Sequence, residues 1–215
     1  MDFYSARVNM VKSQVAPNKV HEPEILDAML AVPREKFVDA SQQDLVYSDI
    51  PVVMGSDRRF LKPLQTAQLI QAVDVKKGER ILVVGAGAGY EVALLEKMGA
   101  EVFALESNAD LAKNAEARTG SDSVQWLVGD LELGWADQAP FDGIIFCGGI
   151  SSIPAKLVGQ LTQEGVLVAI VGKPAAPVMT LTRIKGVSGG GHPEFLLETV
   201  APLLPGMAAV KRFEL

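Results

Sequence analysis

The sequence predicts an α/β protein: a doubly wound, mostly parallel sheet with an antiparallel C-terminal edge and an N-terminal helical extension. Three observations lead there. From residue 78 onward, five apolar runs alternate with helical patterns. The last two strand-like runs are joined by a glycine-rich stretch with no helix between them. Residues 1–75 carry helical spacing interrupted by a proline-rich loop. The expected organisation is an extension over residues 1–75 and a ligand-binding domain over 76–215, packed as one unit.

In chain order, residues 5–15 and 22–31 place apolar side chains at helical intervals, with Ile25, Leu26, Met29 and Leu30 lining one face. Pro33 ends the second of these helices. The stretch YSDIPVVMGSDRRFLKP then breaks the pattern with two prolines, a glycine and a charged cluster, which predicts an ordered loop. Residues 64–73 read as a third helix. Residues 81–84, 102–105, 124–128, 143–146 and 166–171 read as buried parallel strands, with helices at 90–98, 109–118 and 153–161 between them. Residues 180–184 and 195–200 read as an antiparallel pair around GVSGGGHPE, whose SGGGHP portion is expected to be a hairpin loop.

At 215 residues the chain is long enough to bury roughly 70% of its unfolded surface without staples. The single cysteine, Cys147, leaves no intramolecular disulfide and fits a reducing, cytoplasmic setting. MDFYSARVNM lacks the cationic start and apolar core of a signal peptide, and no apolar run reaches membrane-spanning length. The net charge of −6 argues against a nucleic-acid partner. Neither a nucleic acid nor a membrane is expected as a partner.

Chemistry concentrates in ILVVGAGAGYEVALLEKMGAEVFALE, residues 81–106. Gly85, Gly87 and Gly89 lie where a strand turns into a helix, where glycine admits positive φ and a ligand pressed on the backbone. The dinucleotide fingerprint would place its third glycine at position 90, which is Tyr90 here. The spacing instead suits S-adenosylmethionine, a ligand with no pyrophosphate to cradle. Glu106, at the end of the next strand, can accept from both ribose hydroxyls. Asp130, after the third strand, can accept from an adenine amino group while the adjoining backbone N–H at Leu131 reads the ring. Cys147 ends a strand beside the same site. A nicotinamide or flavin enzyme is the alternative.

His21 and His192 lie away from the strand ends, and no His/Cys/Asp/Glu cluster has metal-ligand spacing, so no metal is expected. Cys147 has no cationic sequence neighbour to activate it and reads as a packed strand residue. The lack of a base points one way. A carboxylate is a nucleophile at neutral pH, and a sulfonium is an activated methyl donor, so methyl esterification needs alignment more than proton transfer.

MVKSQV (residues 10–15), ILDAMLAVPREKFV (25–38), YSDIPVVMG (47–55), GAGAGY, GDLELGW and APFDGIIFCGG together resemble the protein-L-isoaspartate O-methyltransferases, in that order along nearly the whole chain. The resemblance implies a Rossmann-like methyltransferase sheet and S-adenosylmethionine as cofactor. It implies a repair enzyme methylating the α-carboxylate of isoaspartyl residues in proteins or peptides, with residues 1–75 on the substrate side. By matching positions, Gly85, Gly87, Glu106 and Asp130 would hold the cofactor.

Two stretches depart from the family. After the glycine at Gly55 the family reads Gly-Gln-Thr-Ile-Ser-x-Pro, and this chain reads SDRRFLKP. The family's glutamine falls on Arg58, its threonine on Arg59 and its active-site serine on Leu61, which cannot donate a hydrogen bond. No catalytic residue is therefore assigned. Arg58 and Arg59 could bind an anionic substrate through paired guanidinium bonds. The simpler expectation is that both are solvated while Phe60 and Leu61 pack. The family's Thr-Ala-Ala after the fourth strand is Cys147-Gly148-Gly149. Two other functions follow from these changes: methylation of a different, small acidic acceptor, or cofactor binding without catalysis.

Overall fold

Apolar runs bounded by glycine and charge form the strands of a seven-membered sheet in the computed structural model, which describes residues 1–55, 58–174, 176–186 and 191–208. The strands are β1 (Arg80–Val84), β2 (Glu101–Glu106), β3 (Gln125–Val128), β4 (Phe141–Ile150), β5 (Leu161–Val171), β6 (Met179–Lys185) and β7 (Pro193–Thr199). Among the described residues their order is β3-β2-β1-β4-β5-β6-β7. The first five pair in parallel, and β6 and β7 run antiparallel at one edge. Strand order reverses between β1 and β4, which opens the crevice at their carboxyl ends where α/β sheets bind ligands.

Side-chain alternation sorts the core into two layers. Ile81 and Val83 of β1 join the layer that also holds the N-terminal helices, while Leu82 and Val84 join the layer containing Leu131, Leu157 and Leu204. The helices are α1 (Phe3–Met10), α2 (Pro23–Ala31), α3 (Pro63–Val73), α4 (Tyr90–Lys97), α5 (Ala109–Thr119) and α6 (Ala155–Val158). α1 begins earlier than the apolar spacing predicts because the Asp2 carboxylate caps it, accepting from the Tyr4 and Ser5 N–H groups. Its continuation over Val11–Val15 is a π-helical turn.

The helix expected over residues 153–161 shrinks to the four residues of α6. Leu161 already belongs to β5, where it pairs with Phe141. The Gln160 side chain is committed to another segment, accepting from the Trp135 N–H and donating to the Leu133 carbonyl. Apolar residues at 153, 157, 158 and 161 mimic a helical stripe, but sheet pairing takes the last of them. The two C-terminal strands pair antiparallel as expected, the second beginning two residues earlier; residues 187–190 of their glycine-rich connection, where the hairpin loop is expected, lie outside the described residues. Among the described residues no helix is long and apolar enough to cross a membrane.

Candidate active site

The loop after β1 is shaped by its glycines. Gly85, Gly87 and Gly89 all hold positive φ, at 70°, 60° and 92°, a region that side-chain-bearing residues rarely enter. The loop docks on the neighbouring strand, with the Gly85 and Ala86 N–H groups donating to the Leu105 carbonyl. This brings the loop against the last residue of β2, Glu106.

Glu106 is fully buried. Its carboxylate accepts from the backbone N–H groups of Gly87 (2.9 Å), Ser107 (2.8 Å) and Asn108 (3.1 Å), and from the Ser107 hydroxyl at 3.2 Å. Its remaining partner is Arg58. The guanidinium Nη1 lies 2.9 Å from Glu106 Oε1 and 2.7 Å from Oε2, and Nη2 donates to the Gly85 carbonyl at 2.8 Å. A carboxylate removed from water requires such compensation, and backbone donors plus a guanidinium supply it.

Arg58 reaches this position because residues 52–54 and 58–60 fold against each other. The Met54 N–H donates to the Arg58 carbonyl, the Phe60 N–H donates to the Val52 carbonyl, and Val53 forms an antiparallel bridge with Arg59. Alternation across this pairing sends Arg58 and Phe60 inward and leaves Arg59 exposed. The expectation that both arginines are solvated is therefore corrected at Arg58, which is only 4% exposed, because the buried Glu106 carboxylate draws its charge inward. Phe60 and Leu61 pack, at 1% exposure each.

Two more side chains lie on the glycine loop. Leu204 covers Gly85 and Gly148 so closely that a Cβ at either would meet its methyl carbons at 2.8 Å and 2.6 Å. A Cβ on Gly87 would meet the Met54 sulfur at 2.8 Å. Leu204 is carried there by a C-terminal segment that docks on β4, with the Gly149 N–H donating to the Pro202 carbonyl and the Leu204 N–H donating to the Gly149 carbonyl.

The other predicted positions spread outward from this centre. Asp130 is exposed, and its carboxylate accepts from the Glu132 N–H at 2.9 Å. With Ser107, Leu131, Glu132, Pro205 and Met207 it lines a cavity of about 370 Å³. Leu131 and Cys147 are buried. Burial pushes the Cys147 thiol well above its ordinary value, with Glu91 adding to the shift, so the sulfur stays a protonated, weak nucleophile. His21 and His192 are exposed away from the crevice. Sequence reasoning did not identify Met54 and Leu204, whose approach to the glycines depends on contacts between distant segments. Among the described residues no group of three or more His, Cys, Asp and Glu could hold a metal.

The N-terminal extension is fastened to the site by Arg34, which is fully buried. Its guanidinium lies 4.7 Å from the Tyr90 ring centre and 4.8 Å from that of Phe60. Nε donates to the Val46 carbonyl at 2.9 Å, and Nη2 donates to the Leu61 carbonyl. Tyr90, which spoils a dinucleotide fingerprint, thus serves as a platform for the extension at the start of α4.

Comparison with known proteins agrees with this architecture. The pattern of the family described as Protein-L-isoaspartate(D-aspartate) O-methyltransferase matches residues 6–188. A protein-L-isoaspartate O-methyltransferase of Methylorubrum populi is 37% identical over 95% of this chain and 98% of its own length. Among solved structures, a protein-L-isoaspartate O-methyltransferase superposes with a TM-score of 0.81 at 22% identity, covering 94% of this chain and 67% of that one. A Plasmodium falciparum protein of that description, solved in complex with S-adenosyl-L-homocysteine, superposes with a TM-score of 0.75 at 20% identity, covering 94% and 97%. The two structures show the shared fold, and the sequence match is the stronger finding. The chain belongs to the protein-L-isoaspartate(D-aspartate) O-methyltransferase family, and with it to the S-adenosylmethionine-dependent O-methyltransferases.

Proposed function

We propose that this chain methylates the α-carboxylate of isoaspartyl residues in damaged proteins, with the donor held along Gly85, Gly87, Gly89, Glu106, Asp130, Leu131 and Cys147. The observation that carries this reading is the buried Glu106 carboxylate beside a positive-φ glycine loop, on a chain whose family match runs over residues 6–188. The remaining chemistry agrees. A carboxylate acceptor arrives deprotonated and calls for positioning rather than a base. The crevice offers no histidine, and its thiol is held protonated.

These residues take the donor only when the side chains now resting on them move aside. A ribose would need the Glu106 oxygens that Arg58 now bridges, and the space above Gly85 and Gly87 belongs to Leu204 and Met54. The cavity beside Asp130 lies at the outer end of the same edge. Neither arginine of SDRRFLKP is presented to an acceptor in this arrangement: Arg58 is paired with Glu106 and Arg59 points to solvent.

The test is transfer of a labelled methyl group from S-adenosylmethionine at saturating concentration to an isoaspartyl peptide and to its aspartyl twin. Base-labile label on the isoaspartyl peptide alone is the expected result. Label on a small acid but on neither peptide would move the chain to another acceptor. No label on any acceptor, with the donor bound, would make it a binding protein without catalysis.

A further inference from the structure

The cofactor reading rests on Glu106, and Glu106 already has a ligand supplied by the chain itself. A ribose presents two neighbouring hydroxyls to such a carboxylate. Arg58 supplies equivalent donors, with Nη1 at 2.9 and 2.7 Å from the two oxygens. It adds a positive charge and a second contact on the Gly85 carbonyl at 2.8 Å. A guanidinium nitrogen bridging both oxygens of a buried carboxylate makes charge-assisted bonds, stronger than those of neutral hydroxyls. The pair is dry, with Arg58 4% and Glu106 0% exposed, so salt screens it little.

The surrounding contacts reinforce the pair. The glycines leave a trough by lacking side chains, and three side chains from two segments fill it: Met54 and Arg58 from the loop before α3, and Leu204 from the C-terminal segment. Nη2 of Arg58 would lie 3.3 Å from a Cβ on Gly85 and 3.6 Å from one on Gly87. A ligand pressed against this backbone and the Arg58 guanidinium cannot both be present.

We propose that Arg58 is a built-in competitor for the methyl donor: it holds Glu106 in place of the ribose, and S-adenosylmethionine enters only when the Arg58–Glu106 pair is broken. This proposal rests on the cofactor reading above. Its consequence is that the chain binds the donor weakly for its family and gains affinity when the guanidinium is removed. Leu204 and Met54, which make no charged contact, contribute less to the exclusion.

Calorimetric titration of S-adenosylhomocysteine into the full chain and into Arg58→Gln tests this directly. Glutamine keeps a polar side chain there and cannot bridge both oxygens with a positive charge. The expected result is at least tenfold tighter binding by the variant, with a larger ligand-induced rise in melting temperature. Glu106→Gln in the same background should then remove most of the gain. Equal, tight binding by the wild-type chain and Arg58→Gln would overturn the proposal and leave the cofactor reading standing. No binding by either would overturn both. Should Arg58→Gln fail to fold, Arg58→Ala takes its place. A second readout uses the unaltered chain: the Arg58 side-chain N–H signals in a nitrogen-15 spectrum should shift and lose protection from exchange as ligand saturates the protein. Unchanged signals at saturation would overturn the proposal by themselves.

Discussion

Two buried arginines, Arg34 and Arg58, enter the site from the N-terminal third of the chain and are satisfied in opposite ways. Among the described residues no carboxylate pairs with Arg34. Two aromatic rings and two backbone carbonyls hold it, and its Nη1 has no hydrogen-bond partner among the described residues. Arg58 is held by a carboxylate and one carbonyl. The difference separates a structural fastening from a replaceable contact. Arg34 suits the slot between Phe60 and Tyr90 because a flat cation can lie over both rings while donating in its own plane. The place of Arg58 on Glu106, by contrast, suits any ligand with two adjacent donors.

Removing Arg34 should have the largest effect on folding. Arg34→Ala leaves the Val46 and Leu61 carbonyls without their donor, empties the space between two rings and ends both cation–π contacts. The expected loss is about 3–4 kcal/mol, read from the midpoint of urea unfolding. Arg34→Lys should recover less than half of it, since an ammonium cannot stack or fork between two carbonyls. A loss below about 1 kcal/mol for the alanine variant would show that the loop is held by its apolar neighbours alone, and the contrast with Arg58 would collapse.

Arg58→Gln should cost less, about 1–2 kcal/mol in the same measurement. Stranding a buried carboxylate is ordinarily severe, but Glu106 keeps the N–H groups of Gly87, Ser107 and Asn108 and the Ser107 hydroxyl. This remaining shell is what lets a ligand exchange with the guanidinium. A cost equal to that of Arg34→Ala would make Arg58 a fastening too, and the two arginines would no longer differ in kind.

The two arginines also mark where sequence reading stops. The sheet is legible because local pattern decides it: β1 and β2 need only an apolar run, a glycine turn and another apolar run. The glycine loop, Glu106 and Asp130 are legible for the same reason, each following a strand that announces itself. Arg34 sits in VPREKFV, a motif specific enough to suggest the family, yet its partners Val46, Phe60, Leu61 and Tyr90 lie 12 to 56 positions away in the chain. Arg58 and Glu106 are 48 positions apart. The sequence around Arg58 resembles a solvated charged loop, and only the alternation of a short pairing with residues 52–54 turns one arginine inward and its neighbour outward. Helix 153–161 failed for the converse reason: a good local pattern lost Leu161 to its pairing with Phe141.

The smallest expected effect tests a third cation of the extension, Arg7, through its phenolic partner. Arg7 Nε donates to the Tyr47 hydroxyl at 3.1 Å, and that hydroxyl donates to the Glu35 carboxylate, which also pairs with Arg7. Burial and the hydrogen bond to Glu35 push the Tyr47 phenol from its ordinary value of 10.0 up to about 12, outweighing the pull of Arg7. The sign follows from where the proton is held more tightly. The folded chain keeps it to about 12 while the unfolded chain releases it near 10, so the contribution is complete below the unfolded value and is lost as pH rises between the two. Lysines titrate in the same window, so the informative quantity is the difference between the wild-type chain and Tyr47→Phe. The variant should be less stable by about 1 kcal/mol at neutral pH. Its deficit should narrow above pH 10, because it has no phenol to ionise beside Glu35. A deficit that stays constant through pH 12 would mean the phenol titrates normally, and that the Arg7 guanidinium, rather than the Glu35 carboxylate, sets its environment.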